Sequence, residues 1–124
     1  MGLYFFGQVV IVSIDDGRGG FKERPALVIS SDQECDAGNN LWVLAITRGI
    51  QDPSPSYHFV IHDRNTRDPT TGLTFPCVVK CNWFREIPQN RVIKRIGHMP
   101  DDLLKSIVEA FDRLFSDDSF EDWQ

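Results

Sequence analysis

No apolar run in this sequence approaches the length of a membrane-spanning helix, which excludes a helical membrane protein. Leu3–Phe6 is too short for a secretory signal and lacks a basic flank, so the expected compartment is the cytoplasm. Cysteine is scarce and odd in number: Cys35, Cys77 and Cys81 form no disulfide framework, in keeping with a reducing environment. Metal-ligand patterns are missing as well. Cys77 and Cys81 are spread along one face of a strand rather than gathered in a knuckle, and His58 and His62 have no third ligand close in sequence. Gly17, Gly19 and Gly20 are not followed by Lys-Ser/Thr and a helix, which removes nucleotide hydrolysis. Neither a metal nor a cofactor is therefore expected. Positive charge is also in deficit: 13 basic against 18 acidic residues leave a net charge of −5, so nucleic acid is not gripped by bulk charge and any such contact has to be local. There is no internal repeat and no low-complexity tract, and 124 residues suffice for one domain with its own core.

The charges that are present are unevenly placed. Arg18, Lys22 and Arg24 fall in a first loop, Lys80, Arg85, Arg91, Lys94 and Arg95 cluster later, and much of the acid lies from Asp101 onward. The stretch Gly17–Ser30 delivers Arg24 and Pro25 into an apolar run. Proline fixes its own φ and pushes the preceding residue towards an extended conformation, so the Arg24 guanidinium is expected at a strand's entrance, where its planar fork suits phosphate. The plainer alternative is a solvated turn arginine. β-Branched and alternating runs predict strands over Gln8–Ile14, Ala26–Ser30, Leu41–Thr47, Tyr57–Ile61, Pro76–Asn82 and Arg91–His98, with loops over Ser31–Asn40 and His62–Gly72. Pro100 opens a helix, Asp101 and Asp102 complement its positive end, and Leu104, Ile107, Phe111 and Phe115 recur at helical spacing. Short strands in meander order with one closing helix predict a mainly β fold, an SH3-like small barrel. The expected organisation is one domain over 1–115 with its helix at 100–115, then an acidic tail at 116–124.

Three segments in order carry a family resemblance: Gly7-Gln-Val-Val-Ile-Val with the glycine-rich loop and Arg24-Pro-Ala-Leu-Val-Ile-Ser, then Ala45-Ile-Thr47, then Val78 to Ile87 continuing to Ile96-Gly97. Together with the final helix, this resembles the MazF/PemK (Kid) toxins of bacterial type II toxin–antitoxin systems, over about Gly7 to Phe115. The resemblance implies a MazF/PemK/CcdB-like barrel, a homodimer, a cognate antitoxin and metal-independent cleavage of single-stranded RNA to 2′,3′-cyclic phosphate and 5′-hydroxyl ends. It implies catalytic roles for Arg24 and Thr47, and RNA contacts from Arg18, Lys22, Lys80, Asn82, Trp83 and Arg85. A fixed guanidinium and a hydroxyl suit that chemistry, because charge builds on the phosphate oxygens and on the leaving oxygen.

The sequence also departs from the family pattern. Arg18, Gly19 and Gly20 stand where the family carries a small residue or His followed by Glu-Gln, and Asn82 and Trp83 stand where it has an acid and Gln. Asparagine is no base. The alternative function is therefore a catalytically diverged binding module or a CcdB-like, gyrase-directed toxin. The tail carries Asp117, Asp118, Glu121 and Asp122 with Phe120 and Trp123, and is expected to dock on basic surface in competition with RNA.

Overall fold

Alternation in Gln8–Asp15 (β1) turns Val10 and Val12 to one side of a sheet and Val9 to the other, all three fully buried. The computed structural model describes residues 3–15, 17–48, 53–61 and 70–116. After β1 come β2 (Phe21–Val28), α1 (Asp32–Asp36), β3 (Leu41–Thr47), β4 (His58–Ile61), β5 (Cys77–Ile87), β6 (Val92–His98) and α2 (Asp101–Ser116). The strands pair antiparallel in the order β4-β5-β3-β2-β1-β6. The fold is mainly β with a C-terminal helix, as the pattern of the sequence indicates.

Each face of the sheet has its own cover. On one, Leu27, Leu44, Ile46, Val79 and Cys81 pack with Ile107 and Ala110 of α2. On the other, Val10, Ala26, Val28, Val43 and Ile87 pack with Cys35 of α1. Because α1 spans only five residues, it covers only part of that second face.

Four expectations need correction. The strands do not follow meander order: β3 pairs with β5, and the four-residue β4 takes the edge. The reason is burial, since Cys77, Val78, Val79 and Cys81 are all inaccessible and need a strand on each side. Second, β2 begins at Phe21 rather than Ala26, so Arg24 lies inside a strand and not at its entrance. Lys22, Glu23 and Arg24 have little strand preference of their own, and it is their register against Ile14, Ser13 and Val12 that extends them. Pro25 is tolerated because the β3 ladder joins β2 only at Ala26.

Third, the loop after β2 contains α1, whose N-terminus is capped by Ser31 Oγ accepting from Glu34 N at 3.2 Å. Fourth, β5 runs on past Asn82 to Ile87. Lys80 stands opposite Ala45 and Phe84 opposite Leu44, so Cys81, Asn82 and Trp83 bulge from the ladder. The segment Thr70–Gly72 lies along β6, with His98 N donating to the Thr70 carbonyl at 2.8 Å. A Cβ on Gly72 or Gly97 would run into the facing backbone there. His62 and the tail beyond Ser116 lie outside the described residues.

Candidate functional site

Strand parity gathers the basic residues. Arg24 is two residues from Ala26, and Thr47 two residues from Ala45, the Ala26–Ala45 pair being the last rung joining β2 to β3 at that end. The same register continued sets Arg24 across from Thr47. Lys80 pairs with Ala45 from the other side and Arg85 with Val43, which puts both on this face of the sheet, away from α2. Ala26 and Ala45 are small, so no side chain fills the space between the cations.

The result is a chain of three hollows on the open face. An open groove of about 670 Å³ is bordered by Lys22, Glu23, Arg24, Thr47, Lys80 and Trp83. A neighbour of about 590 Å³ adds Asp15, Arg18 and Arg85 to Lys22, Arg24 and Trp83. A third, of about 370 Å³, is bordered by Tyr57, His58, Lys80, Asn82 and Trp83. Trp83, raised by the bulge in β5, borders all three and is 41% exposed, while the Lys80 ammonium lies 5.4 Å from its ring centroid. Thus Arg18, Lys22, Arg24, Thr47, Lys80, Asn82, Trp83 and Arg85 are neighbours, though they come from separate stretches of chain.

Thr47 Oγ1 is buried and has no hydrogen-bonding partner among the described residues, which leaves its donor and acceptor capacity unspent beside Arg24. His58 Nε2 lies 3.2 Å from Asn82 Oδ1, and its Nδ1 is buried without a partner among the described residues. Burial pushes the imidazole below its ordinary pKa; the Asn82 hydrogen bond pulls the other way, and the Lys80 charge adds to the lowering. Cys77 and Cys81 are buried under α2, where burial pushes their thiols up to about 11 and about 12, so neither is a nucleophile or a ready ligand. Among the described residues no three His, Cys, Asp or Glu side chains come together to hold a metal.

Several neighbours escape sequence reasoning. Glu23 is the one carboxylate among the described residues bordering the Arg24–Thr47 groove, and Arg48 stacks over Phe75 at 4.0 Å on its rim. Glu23 and Arg48 adjoin Arg24 and Thr47 in the chain, a usable hint. Phe75 and Tyr57 carry none, because only sheet pairing brings them close.

This combination can hold a polyanion: cations line an uncovered surface, an arginine fork and a threonine hydroxyl unpartnered among the described residues border one groove, and an aromatic ring stands ready for stacking. A family described as PemK-like, MazF-like toxin of type II toxin–antitoxin system matches residues 6–115. Among solved structures, the Mycobacterium tuberculosis toxin MazF-mt6 is similar with a TM-score of 0.71 at 22% identity, over 88% of this chain and 96% of its own. An endoribonuclease in complex with its cognate antitoxin, from a mycobacterial species, is similar with a TM-score of 0.71 at 15% identity, over 91% and 95% of the two chains. A MazE–MazF structure from Deinococcus radiodurans gives a TM-score of 0.71 at 16% identity, over 92% and 97%. At such identities the likeness is one of fold. No curated protein matches at the level of sequence.

Proposed function

This chain belongs to the PemK-like, MazF-like toxins of type II toxin–antitoxin systems, and from that premise we propose that it is a sequence-selective, metal-independent endoribonuclease acting on single-stranded RNA. The observation that carries the reading is the meeting of Arg24 and Thr47 at one groove on the uncovered face of the sheet.

The ribose 2′-oxygen attacks the adjacent phosphorus; a 2′-O–P bond forms and the P–O5′ bond breaks, leaving a 2′,3′-cyclic phosphate and a 5′-hydroxyl. The 2′-hydroxyl proton passes to water, since the amide of Asn82 is no base and Glu23, next to Arg24 in β2, turns to the opposite side of that strand. Arg24 spreads its fork over the non-bridging oxygens as their charge grows, and Thr47 Oγ1 donates to the same phosphate. Lys80 returns a proton to the leaving 5′-oxygen. Lys22, Arg18 and Arg85 hold neighbouring phosphates, and Trp83 stacks a base. Partners are a second copy of the chain, in a homodimer, and a cognate antitoxin, as accompanies the similar mycobacterial endoribonuclease and the Deinococcus radiodurans MazF.

The test is direct. Purified protein incubated with single-stranded RNA in EDTA yields cyclic-phosphate ends, and Arg24→Ala removes the activity. A requirement for magnesium would refute the mechanism. One observation favours a second reading, a non-catalytic binder or gyrase-directed poison on the same fold: the Arg18-Gly19-Gly20 turn lacks the Glu-Gln pair of the resembling toxins, and Asn82 stands where they carry an acid. Growth arrest that survives Arg24→Ala with cellular RNA intact would select it.

A further inference from the structure

The third hollow contains an asparagine whose orientation can be deduced. His58 Nε2 and Asn82 Oδ1 lie 3.2 Å apart, while His58 Nδ1 is buried with no partner among the described residues. Either Nε2–H donates to Oδ1 and leaves a bare acceptor at Nδ1, or a flipped amide donates to Nε2 and leaves a buried N–H at Nδ1 with nothing to receive it. Buried orphan donors are rarer than under-satisfied acceptors, so the first arrangement holds. Asn82 therefore turns its oxygen to His58 and keeps its NH₂ as the free edge. Lys80, on the same wall, can only donate. The Tyr57 ring meets the His58 ring edge-on at 5.1 Å and props it in place. Burial lowers the pKa of this imidazole and so favours its neutral form, in which the tautomer is defined.

We infer that the hollow bordered by Tyr57, His58, Lys80, Asn82 and Trp83 is a base-reading pocket that stacks one nucleobase on Trp83 and selects a keto edge, guanine or uracil, over adenine or cytosine, with His58 as the positioning residue that fixes Asn82. This rests on the RNA reading of the adjoining groove. Asparagine ordinarily reads adenine with both its oxygen and its nitrogen. Turning the oxygen to His58 withdraws the acceptor half of that pair and leaves donors alone. The O6 and N7 of guanine, or a uracil carbonyl, satisfy those donors. The exocyclic amino groups of adenine and cytosine meet them donor to donor, leaving both sides unpaired.

A fully randomised pool of single-stranded RNA, cut in EDTA and sequenced at its ends, tests the pocket. If the pool is bound but not cut, the bound fraction is sequenced and judged by the same criterion. At one position guanine or uracil should lead adenine and cytosine by about tenfold. Asn82→Asp exchanges donors for acceptors on an exposed side chain and should move the preference at that position to adenine or cytosine. His58→Phe keeps a ring of similar size but frees the amide, so it should flatten the preference there and leave other positions unchanged. A purely structural role for His58 would instead lower the overall rate with preferences intact. If the pool is recognised but Asn82→Asp keeps the wild-type preference, the pocket is wrong and the endoribonuclease reading stands. If the pool is neither cut nor bound, both fall.

Discussion

Replacing Arg24 and replacing Thr47 should have different costs. Arg24→Ala removes the charge proposed to meet the pentavalent phosphate and should slow single-turnover RNA cleavage by about 10²- to 10³-fold. Arg24→Lys restores the charge without the planar fork and should stay nearer to alanine than to wild type. Thr47 Oγ1 is buried and unpartnered among the described residues. Thr47→Val should therefore raise stability in urea by about 1 kcal/mol while lowering the cleavage rate; a variant that is both slower and less stable would mean that the hydroxyl serves the fold. The cysteines make a pH prediction. Burial raises Cys77 from an ordinary 9.0 to about 11 and Cys81 from 9.0 to about 12. A raised folded value favours the protonated form, so the contribution to stability is complete below pH 9 and is lost as pH rises through 11 and 12. A thiol reagent at mildly alkaline pH should leave both unlabelled until urea unfolds the chain, and prompt labelling of the native protein would contradict their burial.

Among the elements, the crossing of Thr70–Gly72 over β6 is the tightest point. Gly97→Ala would press a methyl group onto the Thr70 and Thr71 backbone, and should cost about 2–4 kcal/mol in chemical denaturation; a loss well under 1 kcal/mol would mean that the crossing yields easily. Much of the element map is readable from sequence. β3 has the bounds Leu41–Thr47 that its apolar run predicts, and α2 begins one residue after Pro100, where proline and two acids mark a helix start. What escapes reading depends on partners distant in the chain. The first half of β2 is held by its register with β1, against the preferences of Lys22, Glu23 and Arg24. α1 needs both the Ser31 cap and burial of Cys35. The bulge in β5 follows from alignment with β3 and cannot be seen in Cys77–Ile87 alone. The candidate site divides in the same way. Arg24 and Thr47 stand out through family resemblance and the flanking cations through their clustering, whereas Phe75 and Tyr57 become neighbours of the groove only once the sheet has formed.

For the whole molecule, the electrostatic problem is a basic face on a chain of net charge −5. RNA affinity should fall steeply with salt, with a slope set by the few local phosphate contacts rather than by total charge. Deleting residues 117–124 removes Asp117, Asp118, Glu121 and Asp122 and should tighten RNA binding at low salt, the gain shrinking as salt rises. Equal affinity at low salt would rule out competition by the tail. Sheet order has a further consequence, in time rather than in space. β1 meets β2 across a short turn, but its other edge is completed only by β6, with Gln8 paired to His98. During synthesis that edge therefore stays bare until the last strand, β6, has left the ribosome, although the strands carrying Arg24, Thr47 and Lys80 are already made. A nascent chain halted before Val92 leaves that edge of β1 unpaired and should aggregate or be degraded rather than act prematurely.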